Sequence, residues 1–263
     1  MKKLLIRMAV IALFAVQLVC AGSIDAQAKA KKTTKAKYRN QFVKGADGST
    51  YFYNGKGKKL KKQFFTTRTG NTYYFNYKGK RVSGWIKIGE EYYFFSKGGV
   101  MQKNREIDGI KIKKNGTIKK NEYNIEKIKT IKKAEKIVSE ITNKKDSKEV
   151  KLKKCFDWVI SFPYCQYRKM SQVKDKNWET IFANDIFDNR QGCCVSEGAA
   201  FAFLARACGY KETYVCSDTA HGWAEIDGYV YDPLFAEAKD YSKYFKCSYG
   251  NYGLSPAGGR VKV

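Results

Sequence analysis

Residues 192–209 read GCCVSEGAAFAFLARACG, and the rest of the fold can be inferred outward from this segment. Small and apolar side chains run from Ala199 to Ala207, and Gly209 follows as a helix-terminating residue. This composition predicts a buried helix that begins at a cysteine. A thiol at a helix amino terminus lies beside unpaired N–H groups and the positive end of the helix dipole. Both favour the thiolate form.

Three strand-like segments follow the predicted helix. They are residues 213–216, 221–226 and 229–231. Asp227-Gly228 joins the last two and is typical of a hairpin turn. His221 opens the second segment and Asp232 follows the third. Side chains on neighbouring strands can meet across a sheet, so these two residues are predicted to lie close together.

Cys194, His221 and Asp232 occur in the order nucleophile, base and orienting carboxylate. An imidazole beside a thiol can take its proton and later protonate the leaving group, and a carboxylate can fix the imidazole tautomer. His221 is the single histidine of the 263 residues, which excludes a three-histidine zinc centre and an H-E-x-x-H helix. The sequence therefore predicts thiol chemistry without a metal and without a cofactor.

This half of the chain resembles the transglutaminase-like core of the papain-like superfamily over about residues 130–263. The features that carry the resemblance are Gly192-x-Cys194, Leu204, Gly209, His221-x-Trp223 and Asp232-Pro233. The resemblance implies an α+β fold in which helices pack on an antiparallel sheet. It also implies Cys194 as nucleophile, chosen over Cys193 by its spacing to Leu204 and Gly209.

The same resemblance implies roles for the other site residues. His221 would act as base and acid, and Asp232 would orient it. The backbone N–H of Cys194 would stabilise the oxyanion. Gln191 and Trp178 are the side-chain candidates for a second oxyanion donor.

Three helices are predicted before the thiol segment. Apolar residues spaced by three, four and seven predict an amphipathic helix over residues 125–142. Asp146-x-x-Glu149 predicts the start of a second helix, which Pro163 ends. A third and short helix is predicted over residues 178–183.

The amino-terminal half repeats a motif of about 20 residues, which indicates a repeat architecture. A glycine, two residues and three aromatic residues lead to a second glycine, as from Gly48 to Gly57 and from Gly70 to Gly79. Each copy predicts a hairpin in which an aromatic strand is followed by a turn and a second short strand. One hairpin cannot bury its aromatic residues alone, so we expect a small all-β stack of hairpins.

Residues 83–95, SGWIKIGEEYYFF, are similar to the cell-wall-binding repeats of Gram-positive surface proteins, the choline- and glucan-binding group. The likeness covers about residues 46–118. It implies shallow sites for choline or sugar between adjacent hairpins, because aromatic faces attract quaternary ammonium. The alternative is that the aromatic residues only fill the hairpin core. The candidate ligand-binding residues are Trp85, Tyr73, Tyr74, Tyr92 and Tyr93.

Positive charge is concentrated in the same half. The chain has 51 Lys+Arg against 25 Asp+Glu, and residues 29–150 alone hold 33 against 11. This excess predicts an anionic partner, for which a wall polymer (teichoic acid, glycan or choline-bearing chain) is expected rather than nucleic acid. A well-solvated Lys-rich surface is the alternative.

The chain begins with Lys2, Lys3 and Arg7, then an apolar run over residues 8–19 and Ala26-Gln27-Ala28. This pattern predicts a signal peptide over residues 1–28, secretion to the cell wall or surface, and no stable membrane span after cleavage. A retained anchor is the alternative. The predicted organisation continues with a basic linker at residues 29–45, hairpin repeats at 46–120 and a catalytic domain at 121–263.

These predictions describe a wall-associated cysteine acyl-transfer enzyme that acts on a peptide or protein through a thioester on Cys194. Water as the acceptor would give a peptidase or amidase, and an amine would give protein cross-linking. The alternative is a catalytically inactive, wall-attached binding or scaffolding protein. Disulfide pairing stays open among Cys155, Cys165, Cys193, Cys208, Cys216 and Cys247.

Overall fold

The computed structural model describes residues 37–166 and 168–263. The predicted signal peptide and residues 29–36 of the predicted linker lie outside the described residues. Residues 38–263 form one compact unit that combines small antiparallel hairpins with helices and a larger sheet. Within the described ranges, no helix has the length and apolar character that crossing a bilayer requires.

Four two-stranded antiparallel hairpins occupy the first part of this unit. They pair β1 (Gln41–Lys44) with β2 (Thr50–Tyr53), β3 (Gln63–Thr66) with β4 (Thr72–Phe75), β5 (Gly84–Ile88) with β6 (Glu91–Phe95), and β7 (Arg105–Ile107) with β8 (Ile110–Ile112). Stacked hairpins were the expected architecture for this part of the chain.

The pairing inside each hairpin differs from the prediction. In each of the first three hairpins the aromatic strand is the second strand. It pairs with the strand that precedes it in the chain. After the aromatic strand, the chain makes only an isolated bridge, such as Tyr53 to Lys59. The first strand, β1, also lies inside the segment predicted as a linker. It is ordered because Phe42 pairs with Phe52, with ring centroids 5.0 Å apart.

The hairpins contribute to two hydrophobic clusters. Phe52, Leu60 and Phe75 form a small cluster in the first two hairpins. Trp85 and Ile110 of the later hairpins belong instead to the large core built around the helices. The predicted boundary between residues 120 and 121 therefore does not separate two cores.

The helices are α1 (Glu122–Ile141), α2 (Lys148–Val159), α3 (Trp178–Asn189), α4 (Cys194–Ala207) and three short ones, α5 (Pro233–Ala238), α6 (Tyr241–Tyr244) and α7 (Tyr249–Tyr252). A 3₁₀ turn covers Met170–Lys174. Helix α4 is buried along nearly its whole length and packs against α1, α2, α3 and the sheet. It begins at Cys194 and is followed by Gly209 at φ +96°, as the sequence predicts.

The other predicted helices differ at their ends. α1 begins at Glu122 because Asn121 accepts the Asn124 N–H at 2.8 Å. α2 is capped by Ser147 rather than by Asp146, whose carboxylate binds Lys154. α3 extends to residue 189 rather than 183, since its apolar side chains continue into the core.

A five-stranded antiparallel sheet lies beside α4, in the order β12-β11-β10-β9-β13. Its strands are β9 (Thr213–Ser217), β10 (Gly222–Ile226), β11 (Tyr229–Tyr231), β12 (Phe245–Cys247) and β13 (Gly259–Lys262). The predicted turn at Asp227-Gly228 forms, with φ of +48° and +82°. The sheet and α4 together position the residues considered next.

Candidate active site and aromatic surface

The amino terminus of α4 lies unusually close to β10, and two glycines permit this approach. A Cβ atom on Gly198 would lie 2.7 Å from the backbone of Trp223. A Cβ atom on Gly222 would lie 2.8 Å from Cα of Val195. Any larger side chain at either position would push the helix away from the strand.

This close approach connects the thiol to the strand that follows the histidine. Gly222 packs against Val195, the residue that follows Cys194, and Cys194 itself is 5% exposed. His221 directly precedes Gly222. The fold therefore places the predicted nucleophile beside the residue that adjoins the predicted base.

His221 and Asp232 are in direct contact. Nε2 of His221 lies 2.7 Å from Oδ2 of Asp232 at the open end of the β10–β11 pair, away from the turn that joins the strands. The imidazole stacks on Phe235 at 4.2 Å between centroids and with an 11° angle between the planes. Since Nε2 is bound to the carboxylate, Nδ1 is the ring nitrogen left for another partner.

Asp232 is fully buried, and its oxygens are well satisfied. Oδ2 also accepts from the Tyr252 hydroxyl at 2.7 Å, and Oδ1 accepts the Phe235 N–H at 3.0 Å. Asp232 is thus the N-cap of α5, with Pro233 in the first helical position. The Asp-Pro pair of the sequence marks this cap, while no local signal pointed to Tyr252.

Cys193 and Cys194 are adjacent at the start of α4, and each thiol shifts the pKa of the other. The pKa of the Cys193 thiol is lowered to about 6, mainly because it accepts from Cys194, with backbone N–H groups of the first turn adding to the effect and burial opposing it. The same hydrogen bond, followed by burial, raises the pKa of Cys194. The two thiols therefore titrate as a pair. The sequence had predicted that the thiolate form of Cys194 alone would be favoured.

Cys193 also contacts a polar network behind the helix. Its Sγ lies 3.6 Å from Oγ of Ser196, which donates to Asp185 of α3 at 2.9 Å. Arg168 binds both carboxylate oxygens of Asp185, at 2.6 and 2.7 Å. This network joins α3, α4 and the loop before α3, and so fixes the start of α4.

The two predicted side-chain oxyanion donors occupy different surroundings. Trp178 begins α3, is buried, and has its ring 6.3 Å from that of Phe182. Gln191 lies half-buried in the turn between α3 and α4, three residues before Cys194. Their role as oxyanion donors stays a prediction.

A buried carboxyl that no sequence motif indicated lies next to the thiols. Glu197, one helical turn after Cys194, is 1% exposed, and neither of its side-chain oxygens has a hydrogen-bond partner among the described residues. Burial raises its pKa to about 9, with further contributions from the charges of Glu237, Asp232 and Cys193. Glu197 is therefore protonated near neutral pH.

A large cavity lies elsewhere, between the later hairpins and the helical core. It has a volume of about 970 Å³, and its lining includes Phe94, Asp108, Glu135 and Arg206. The side chains of Cys194, His221 and Asp232 do not contribute to it.

The five predicted wall-ligand aromatics fall into different environments. Trp85 is fully buried, and its Nε1 donates to Asp108 at 2.7 Å. Tyr73 contacts Phe42 inside the hairpin stack, and Tyr92 packs against the large core. No face of the Trp85 indole is open to solvent, and its assignment as a ligand-binding residue stays a prediction.

Tyr74 and Tyr93 instead meet at an exposed cluster with Phe64, which sequence analysis did not single out. Phe64 is 41% exposed, and its ring lies 5.0 Å from Tyr74 and 5.4 Å from Tyr93. We call these three residues the aromatic cluster. In the first hairpin, the ring of Tyr51 is covered by Nζ of Lys59 at 3.7 Å. An exposed aromatic face of this stack thus already binds a cation within the chain.

Comparison with known proteins gives similarity only to solved structures. No family model and no curated protein matches the chain. A choline binding domain from Streptococcus pneumoniae is 26% identical over 32% of this chain and 99% of that domain, with a TM-score of 0.30. Choline binding protein F from Streptococcus pneumoniae, solved with a peptidoglycan analogue, is 18% identical over 31% of this chain and 26% of its own, with a TM-score of 0.29.

The modular Cpl-1 endolysin, also solved with a peptidoglycan analogue, is 25% identical over 26% of this chain and 19% of the endolysin, with a TM-score of 0.24. This chain therefore spans about a fifth of the endolysin and about a quarter of choline binding protein F. The structures to which it is similar are choline-binding proteins of the cell wall.

Proposed function

We propose that the protein is a cysteine acyl-transfer enzyme that its hairpin repeats hold at a cell-wall polymer. The observation that carries the catalytic part is the buried contact of 2.7 Å between His221 and Asp232, next to Gly222, which packs against the residue that follows Cys194. A nucleophile, a base and an orienting carboxylate in this arrangement suit acyl transfer. Helices on an antiparallel sheet fit the transglutaminase-like core that the sequence resembles.

In the proposed reaction, Nδ1 of His221 takes the thiol proton while Nε2–H donates to Asp232. The thiolate attacks the acyl carbon, and N–H groups at the start of α4 bind the oxyanion. The imidazolium then gives its proton to the leaving amine, and a thioester on Cys194 remains. Water or a second amine, activated by His221, displaces the thiol and completes hydrolysis or transfer.

Alkylation of Cys194 by iodoacetamide tests the dyad. The rate is followed by mass spectrometry between about pH 5 and 9, in wild type and in a Cys193→Ser variant that isolates the second thiol. Fast labelling at about pH 6 that is lost in His221→Ala supports the proposal. Labelling that rises only near the ordinary thiol pKa of about 8.5, and that is unchanged in His221→Ala, contradicts it.

The binding part of the proposal rests on the aromatic cluster. Three rings from two successive hairpins meet at the surface, where Phe64 is 41% exposed, and an accessible aromatic face suits a quaternary ammonium or the apolar face of a sugar. The surrounding excess of lysine adds attraction for an anionic polymer such as teichoic acid.

Sedimentation with purified Gram-positive cell walls tests this binding. Phe64→Ala should weaken wall binding about tenfold or more, because Tyr74 and Tyr93 lose the ring that both of them contact. Tyr77→Ala is the matched control, since Tyr77 is 61% exposed and lies outside the aromatic cluster. Competition by choline chloride would identify choline as the ligand, and equal binding by both variants would contradict the assignment.

A second candidate function is a wall-attached scaffold without catalysis. The burial of Cys194 favours it. In the described part of the chain, the lining of the large cavity also lacks Cys194, His221 and Asp232. The release of nitrophenolate from p-nitrophenyl acetate distinguishes the two. Wall binding that survives Cys194→Ser while this release stops supports the enzyme. Equal release by wild type and Cys194→Ser supports the scaffold.

A further inference from the structure

Two thiols from different helices meet at the carboxyl end of α4. Sγ of Cys155 lies 3.6 Å from Sγ of Cys208, although the residues are 53 positions apart in the chain. Cys155 is fully buried in α2, and Cys208 is half-buried as the C-cap of α4. A disulfide has an S–S length of about 2.0 Å, so only a small movement of the side chains separates this contact from a bond.

The surroundings make Cys208 the more reactive partner. Cys208 accepts a hydrogen bond from Cys155, and Lys151 and Lys148 of α2 lie near it. These influences lower the pKa of Cys208 despite burial. The same hydrogen bond and burial raise the pKa of Cys155. A half-exposed thiol beside lysines is the kind that attacks disulfides.

The other described cysteines have different partners. Cys216 lies 3.8 Å from both Glu225 and the Tyr249 hydroxyl, and Cys247 donates to the Ser248 carbonyl at 3.3 Å. Cys193 and Cys194 are neighbours in the chain. Within the described ranges, the Cys155–Cys208 contact is the one that joins thiols from two separate elements.

We propose that Cys155 and Cys208 form a disulfide that fastens α2 to the carboxyl end of α4. The oxidant is an external disulfide, either a small one such as oxidised glutathione or that of a thiol oxidoreductase. The Cys208 thiolate attacks one of its sulfurs and releases the first external thiol. Cys155 then loses its proton and attacks the Cys208 sulfur, which releases the second. Two protein thiols are oxidised, and one external disulfide is reduced to two thiols.

The bond would close a loop that contains α3 and the whole of α4. Closing a loop of this length restricts the unfolded chain, so the oxidised form should be more stable. The thiols of Cys193 and Cys194 lie at the opposite end of the 14-residue helix α4 and stay free. This inference does not rest on the proposed function.

Disulfide mapping of the full wild-type chain is the test. The protein is incubated with oxidised glutathione, its remaining thiols are alkylated in denaturant, and it is digested without reductant. We expect a peptide pair that joins Cys155 to Cys208 and separates on reduction. Recovery of both residues as alkylated thiols, or linkage of either to another cysteine, would overturn the proposal.

Two variants and a stability measurement sharpen the result. Cys165→Ser is the matched control, because Cys165 is also half-buried, and it should retain the linked peptide pair. Cys208→Ser should lose it. Oxidised wild type should unfold about 5–15 °C above the reduced protein, whereas equal unfolding temperatures would contradict the fastening of α2 to α4.

Discussion

The two ends of α4 each carry a pair of thiols, and the pairs differ in their neighbours. At the amino end, Cys193 and Cys194 lie at the first turn of α4, which packs against Gly222, the residue after His221. At the carboxyl end, Cys208 faces Cys155 of another helix and lies near lysines. The helix dipole favours a thiolate at the first end and opposes it at the second.

The chemistry of a thiol depends on the groups beside it. In the proposed reaction, His221 and backbone N–H groups suit the amino-end pair to attack an acyl group. At the carboxyl end, a second thiol from a separate element suits the pair to the cross-link that we propose.

Removing one thiol at each end should separate the two roles most strongly. Cys194→Ser should reduce the release of nitrophenolate from p-nitrophenyl acetate at least about 1000-fold, because a serine hydroxyl is a much weaker nucleophile at neutral pH. Cys208→Ser should change it less than about threefold, since that thiol lies at the far end of the helix. Similar losses in both variants would refute the division of roles.

The carboxyl end of α4 is also anchored electrostatically, and breaking that anchor should cost stability. Asp108 accepts hydrogen bonds from Trp85 and from two guanidinium nitrogens of Arg206. Asp108→Asn would remove the nearer counter-charge of Arg206, with Glu135 remaining at 4.0 Å, and lower the free energy of unfolding by about 3 kcal/mol. Urea denaturation measures this, and acyl-transfer activity of the folded variant should persist.

The control for that substitution is Asp188→Asn. Asp188 makes an exposed ion pair with Lys133, so its loss should cost less than about 1 kcal/mol. A similar cost for the two variants would show that burial at Asp108 adds nothing to the anchor.

Glu197, near the amino end, should make stability depend on pH. Its pKa rises from 4.5 to about 9 on folding, so the folded chain holds a proton that the unfolded chain loses in this window. The stabilisation is complete below the unfolded pKa and disappears as pH rises through the folded one. Glu197→Gln should therefore be about 1–3 kcal/mol more stable than wild type at alkaline pH, measured by urea denaturation.

The prediction for Glu197 would be wrong if wild type and Glu197→Gln lost stability equally between neutral and alkaline pH. The Glu197 carboxyl would then have a partner in solution. Measurements at about pH 5 supply the reference, because both side chains are then uncharged in the folded state.

The smallest expected effect concerns the lysines around Cys208. Lys151→Gln should slow alkylation of Cys208 by iodoacetamide about two- to threefold, because one nearby positive charge no longer favours the thiolate. Lys153→Gln is the matched control on the same helix, since Lys153 pairs with Asp157 instead. Equal alkylation rates in the two variants would show that the charge of Lys151 does not affect the reactivity of Cys208.

The elements that could be predicted are those that depend on local sequence signals. The apolar composition and terminal glycine of α4, the turn at Asp227-Gly228 and the repeated hairpins all depend on neighbours in the chain. The order of Cys194, His221 and Asp232 led to residues that the fold brings to one region.

The features that sequence analysis missed depend on distant contacts. Tyr252 reaches Asp232 across 20 positions, and Trp85 is covered by helices that follow it in the chain. The aromatic pattern of the repeats is equally consistent with a buried Trp85 and an exposed Phe64, because both satisfy the hairpin period. Ser147 and Asp146 are adjacent potential caps, and only the loop geometry chooses between them.

The anchor of α4 on the hairpins also determines reach. Arg206 binds Asp108 in the turn between β7 and β8, and Cys194 lies twelve residues earlier on the same helix. A helix rises 1.5 Å per residue, so about 18 Å of helix separates the hairpin stack from the thiol. If the hairpins were bound to a surface, this helix would hold Cys194 at a fixed distance and orientation relative to that surface. The protein's substrates would be those that lie within that fixed distance of the surface.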